Sequence, residues 1–135
     1  MTRHILATGV VFATALAVSA VPATTPIFTA AQAAAGKAAF GKACARCHMA
    51  DLSGANEVPP LAGATFVSTW GGRTTKELFD YVSGAMPPGG PAESKETYEA
   101  LLAYILQSNG AVAGPAALRA STEVLIGGVT STTEP

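Results

Sequence analysis

The chain has 135 residues, a length that suggests one domain with room for a modest apolar core. About half of it is hydrophobic, only 13% is charged, and the formal net charge is −1. That balance excludes a broad nucleic-acid footprint, which needs clustered positive charge. The only two cysteines stand three residues apart and precede a histidine, which points away from a structural disulfide.

Residues 1–33 read as a secretory signal. Arg3 and His4 make a short positive start, and residues 5–20 are an unbroken run of apolar and small side chains. Ala31-Gln32-Ala33 is a small-x-small cleavage site, with Val18-Ser19-Ala20 as a second candidate. The run falls short of the roughly 18 to 20 residues of a spanning helix, and Pro22 follows it. No cysteine near the site offers a lipid anchor. An exported, periplasmic protein with no stable membrane insertion is therefore expected, with a domain over residues 34–112. Cleavage after Ala33 would leave seven basic and nine acidic side chains.

Four helices are predicted and no strand. The first covers residues 34–47, with Phe40, Cys44 and Cys47 on one face. Residues 49–65 form a loop, broken by Ser53-Gly54, Asn56 and Pro59-Pro60. A short helical turn over residues 66–70 stops at Gly71-Gly72. The third helix opens on Thr74 with Glu77 three residues on, a capping box. Its apolar face is Leu78, Tyr81, Val82 and Ala85, Gly84 marks its end, and Pro87-Pro88 forbids continuation. The fourth is the clearest. Ser94 caps it, Tyr98, Leu101, Leu102, Ile105 and Leu106 recur at helical spacing, and Asn109-Gly110 ends it. Residues 113–135 are expected as a partly flexible tail in which residues 124–126 pack and 132–135 fray.

The chemistry lies in Cys44-Ala45-Arg46-Cys47-His48. On a helix, positions i, i+3 and i+4 share a face. Two thiols there can add to the two vinyl groups of one haem, with the His48 imidazole beneath the iron. This is the C-x-x-C-H signature of covalent haem attachment. A redox dithiol would need a strand before the motif. A structural zinc site would need four ligands, and only two Cys and one His follow the leader. A disulfide within a helix is geometrically awkward. Given a haem, Met49 is too close to His48 to reach the opposite face. Met86, held by the two prolines after it, is the expected sixth ligand rather than a core filler.

Over residues 35–110 the chain resembles the class I cytochrome c family. The likeness rests on the Cys44–His48 motif, on Met86-Pro87, and on the last helix, Leu101-Leu102-Ala103-Tyr104-Ile105-Leu106. Trp70-Gly71-Gly72, Leu78-Phe79-Asp80-Tyr81-Val82 and residues 103–110 look most like the small monohaem domains found beside quinoprotein (PQQ-dependent) dehydrogenases. The resemblance implies an all-α cytochrome c fold, three to four helices wrapped around one covalent haem c. It implies that Gly36 and Phe40 pack against Leu101 and Tyr104. It implies a proline carbonyl on the second nitrogen of His48, from Pro59 or Pro60, of which Pro59 is preferred. Trp70 is either a donor to a haem propionate or a wall of the haem pocket, and Arg73 either neutralises a propionate or is solvated. Met86 follows His48 by only 38 residues, which implies a short loop at the lower haem edge.

The function expected is one-electron transfer, with iron held by His48 and Met86 and no catalytic residues. Expected partners are redox proteins: a dehydrogenase, the quinoprotein class among them, and a terminal oxidase or other cytochrome. Alternatives are a bound electron-transfer subunit of a quinoprotein dehydrogenase, and a haem protein with an open sixth site for gas binding or peroxidase-like chemistry.

Overall fold

Thr29 sets where the first helix begins. Its hydroxyl accepts from the Gln32 N–H at 3.1 Å, capping α1, Ala30–Ala43. The computed structural model describes residues 25–90 and 92–131, so the leader reading of 1–24 and the fraying of 132–135 lie outside it. Helix α1 starts four residues before the predicted position 34. Ile27, Phe28 and Ala33 are buried, and the Phe28 carbonyl accepts from Gly114 N–H at 2.8 Å. The packed unit therefore reaches back to Ile27, upstream of the boundary expected between 33 and 34. The small residues of Ala31-Gln32-Ala33 suit a cleavage site, but alanine is also the best helix former.

The first helix does not run unbroken to Cys47. It bends at Cys44, where φ widens to −114°, and resumes as α2, Ala45–His48. The Cys44 carbonyl accepts from both Cys47 N–H (3.1 Å) and His48 N–H (2.9 Å). Met49 then adopts φ 62° and turns the chain out. In the following loop Gly54 has φ +70°, and a Cβ there would run into the Val58 carbonyl oxygen and the Pro59-Pro60 backbone. Only glycine lets the loop fold so closely on itself.

Helix α3 is Ala64–Trp70 and α4 is Thr75–Ala85. The capping box forms as expected: Thr74 and Glu77 bond to each other's backbone N–H. Gly84 does not end α4, whose last bond runs from Met86 N–H to Val82 O at 2.9 Å. The stop comes from Pro87, which pushes the residue before it out of the helical region; Met86 sits at φ −124°, ψ 141°. Leu78 is buried and Val82 half-buried, whereas Tyr81 is 52% exposed rather than part of the core face.

Helix α5, Lys95–Ser108, is the spine. Every residue from Tyr98 to Leu106 is buried. Its most extensive partner is α1. Gly36 faces the Ala100 carbonyl and the Tyr104 side chain, where a Cβ would collide, and the Phe40 and Tyr104 rings meet at 5.4 Å. Gly36 thus meets Ala100 and Tyr104, while Phe40 meets Tyr104 and shares the core and a cavity wall with Leu101.

The tail is a strap. Gln32 exchanges two hydrogen bonds with Leu118, and the Glu99 carboxylate accepts from Ala120 N–H. Thr75 O–H donates to Thr122 O, and Thr75 N–H to Val124 O. Ile126 N–H reaches Arg73 O, and Gly127 N–H reaches Gly71 O. Leu118, Ile126 and Val129 are buried, the last two around a short 3₁₀ turn, Ile126–Gly128. Residues 113–131 thus lie along the helices through named backbone bonds, with Leu118, Ile126 and Val129 turned inward and Leu125 left 57% exposed. Among the described residues there is no strand, only the isolated bridges Ala55–Val58 and Thr74–Leu125, so the predicted all-α class holds.

Candidate functional site

A cavity of about 510 Å³ opens between α2, the loop 57–61, α3, the end of α4 and α5. Its lining is mostly apolar. Phe40, Leu61, Phe66, Val82, Leu101 and Ile105 make the walls. Pockets that enclose cofactor-sized molecules run from about 300 to 1,000 Å³. All six side chains singled out from the sequence, Cys44, Cys47, His48, Pro59, Trp70 and Met86, line this one cavity.

The bend at Cys44 and the single turn of α2 bring Cys44, Cys47 and His48 to the cavity wall. Both thiols are free, Cys44 half-buried and Cys47 exposed. Burial first, then the charges of Glu93 and Cys47, push the Cys44 thiol above its ordinary value of 9.0. The motif follows helix α1 and not the strand that a thioredoxin-like dithiol needs.

His48 is buried, and its Nδ1 lies 3.0 Å from the Pro59 carbonyl oxygen. A carbonyl can only accept, so Nδ1 carries the proton and donates. Among the described residues this is the only hydrogen bond of the ring. The Nε2 lone pair is therefore left for a metal, oriented through its neighbour nitrogen. Between the two prolines the geometry distinguishes clearly: the bond is to Pro59. Gly54 N–H donating to His48 O (3.0 Å) and Leu61 N–H to Leu52 O (2.8 Å) hold the loop that presents this carbonyl.

Met86 enters the cavity from the extended residue after α4. Pro87 and Pro88 line the cavity beside it. At the mouth stands an aromatic pair. Trp70 and Tyr81 meet at 5.4 Å, and the Arg73 guanidinium carbon is 5.0 Å from the centre of the Trp70 ring. Arg73 is exposed yet stacked, a cation–π contact. The Trp70 indole N–H makes no hydrogen bond to any described residue, so a donor and a cation stand together at the rim.

Reading the sequence missed the residues that act through backbone partners. Asn109 appeared only as a helix end. It is buried, donates to Leu61 O (2.9 Å) and Ile105 O (2.8 Å), and accepts from Gly63 N–H (2.9 Å), tying the Pro59 loop to α5. Tyr98 appeared only as an apolar-face residue. Its hydroxyl donates to Met86 O at 2.6 Å. An Asn at a helix end and a Tyr in an apolar stripe are the only signals either one offered.

The donor set fits a covalent haem. Two thiols one turn apart, an imidazole with one nitrogen already committed to a carbonyl, a thioether, an apolar cavity and a polar rim surround one space. Among the described residues no other cluster of His, Cys, Asp or Glu is arranged for a metal, and no helix is long and apolar enough to cross a membrane.

The profile of the family described as cytochrome C oxidase, cbb3-type, subunit III matches residues 31–105. That span runs from the first turn of α1 into the last turn of α5 and covers the cavity. No curated protein and no solved structure matches the chain.

Proposed function

The chain belongs to the cbb3-type cytochrome c oxidase subunit III family, a c-type cytochrome domain that carries covalent haem c, and from that premise we propose an exported one-electron carrier with His48 and Met86 as axial ligands. The observation that carries the reading is the convergence of Cys44, Cys47, His48 and Met86 on one apolar cavity. The haem iron supplies the one-electron chemistry when bound.

The residues do the rest. Cys44 and Cys47 anchor the group to α2. Pro59 holds the His48 tautomer, which keeps the imidazole oriented and raises its basicity as a ligand. Met86 offers a soft thioether, a ligand that favours the reduced state. The apolar walls would keep water from the group, and Trp70, with Arg73 stacked on it, would offer a hydrogen-bond donor and a nearby positive charge to its acidic groups.

Optical spectra of the exported protein test this. Covalent attachment predicts that colour stays with the denatured chain. Six-coordinate His/Met iron predicts a long-wavelength sulfur-to-ferric-iron band and little uptake of carbon monoxide by the ferrous form. Ready uptake would favour the open-site alternative. The proposed partners are a dehydrogenase donor and a terminal oxidase or second cytochrome as acceptor. The quinoprotein class rests on the likeness around Trp70-Gly71-Gly72 and is tested by co-purification.

Periplasmic export remains part of the proposal, with one change. A cut after Ala33 would delete Phe28, the Thr29 cap and the Gln32 link to Leu118. The Ala20 site leaves all of them in the mature chain.

A further inference from the structure

We propose that Tyr98 is the positioning residue for Met86, a latch that holds the proposed sixth ligand at the cavity; this deepens the His48/Met86 reading and rests on it. Between α4 and α5, the described residues 86–90 have few backbone bonds of their own. Pro87 and Pro88 have no N–H to donate, and among these described residues the bond that closes on itself, Gly90 N–H to Pro87 O, is 3.2 Å long. Tyr98 supplies the missing support from outside. Its hydroxyl donates to the Met86 carbonyl at 2.6 Å and accepts from the Glu93 N–H at 3.1 Å. One hydroxyl thus ties the two ends of the segment together, with its donor and an acceptor both in use.

The hydroxyl is itself fixed. Tyr98 is only 3% exposed, sits in the first turns of α5, and its ring meets Phe79 of α4 edge-on at 6.4 Å. Met86 N–H is committed to Val82 O. The backbone of Met86 is therefore gripped on both sides, by α4 through its amide and by α5 through its carbonyl. What freedom remains is in the side chain, which lines the cavity. A ligand held this way competes better with outside ligands because less ordering is left to be done.

The test uses the holoprotein exported from a host that attaches haem, with ferric protein titrated with imidazole. Tyr98→Phe keeps the ring and removes the latch. It is expected to bind imidazole about fivefold to tenfold more tightly than wild type, the factor that one net hydrogen bond is worth, and to show a weaker sulfur-to-iron band. Met86→Ala is expected to abolish that band. If Met86→Ala leaves the band in place, the axial-ligand reading fails. If it removes the band while Tyr98→Phe binds imidazole like wild type, the latch fails and the ligand reading stands. Thr75→Val breaks the strap contact to Thr122 and is expected to lower stability without tightening imidazole binding. Equal tightening in that variant would show general loosening and overturn the latch. In the unmutated holoprotein, the Glu93 amide is expected to exchange hydrogen more slowly than the Gly89 amide; equal exchange also overturns it.

Discussion

Gln32 and Leu118 lie 86 positions apart and close a two-bond ring: the Gln32 amide nitrogen donates to Leu118 O, and its oxygen accepts from Leu118 N–H, both at 2.8 Å. This contact pins the strap to the first helix. Gln32→Leu strands both backbone groups of a buried residue, which costs about 1–3 kcal/mol. Chemical denaturation of the holoprotein should show that loss, while the visible spectrum stays as in wild type.

The same end of α1 sets an expectation for processing. Phe28 is wholly buried. Truncating it to alanine should cost about 3–5 kcal/mol, the usual range for a core phenylalanine. Intact-mass measurement of the exported chain should accordingly give a mature start upstream of Thr25. A start at Ala34 would refute the placement at Ala20.

At Gly36 the backbone of α5 stands directly against α1, with the Ala100 carbonyl in the way of any Cβ. The obstacle is backbone, so no side chain can yield. Gly36→Ala should destabilise by about 1–3 kcal/mol or more, whereas Gly41→Ala, with open space around it, should be neutral or slightly stabilising. Paired melting curves compare the two.

At the site, Cys44→Ala and Cys47→Ala should each leave one attachment point, and the double variant should release haem into acidified organic solvent. Retention by the denatured double variant would contradict attachment through these thiols. Replacing Pro59 by alanine should change the spectrum little, because the partner of His48 is a backbone carbonyl that alanine also has.

The capping box gives a pH dependence. Hydrogen bonds from Thr74 N–H and then from its hydroxyl hold the Glu77 carboxyl below its ordinary value of 4.5. A depressed carboxylate binds fewer protons folded than unfolded, so its contribution is present above pH 4.5 and is lost as pH falls through the folded value. Melting temperature followed from neutral pH downward should fall less steeply below that point in Glu77→Gln than in wild type.

How much of this was legible depended on whether the signal was local. The attachment motif sits within five residues, and helical spacing alone brings its three groups to one face. The capping box and the apolar stripe of α5 are likewise short-range patterns, and both formed where expected. Where local signals competed, the reading slipped. The alanine-rich run of residues 30–35 suits a cleavage site and a helix equally well, and α1 begins there. Gly84 looked like a stop, yet the proline three residues later decided the end of α4. Tyr81 fitted an apolar periodicity but stands at the cavity mouth.

By itself, then, the sequence determined the helical class, the attachment residues and the shortlist around them, because these depend on side-chain type at fixed spacing. Tertiary structure alone decided that Pro59 rather than Pro60 faces His48, that Tyr98 and Asn109 brace the two loops of the site, and that residues 113–131 form a strap. In each of those cases the partner is a backbone carbonyl or amide, which every residue carries. Such a group leaves no mark in the sequence until the fold brings it within hydrogen-bond reach.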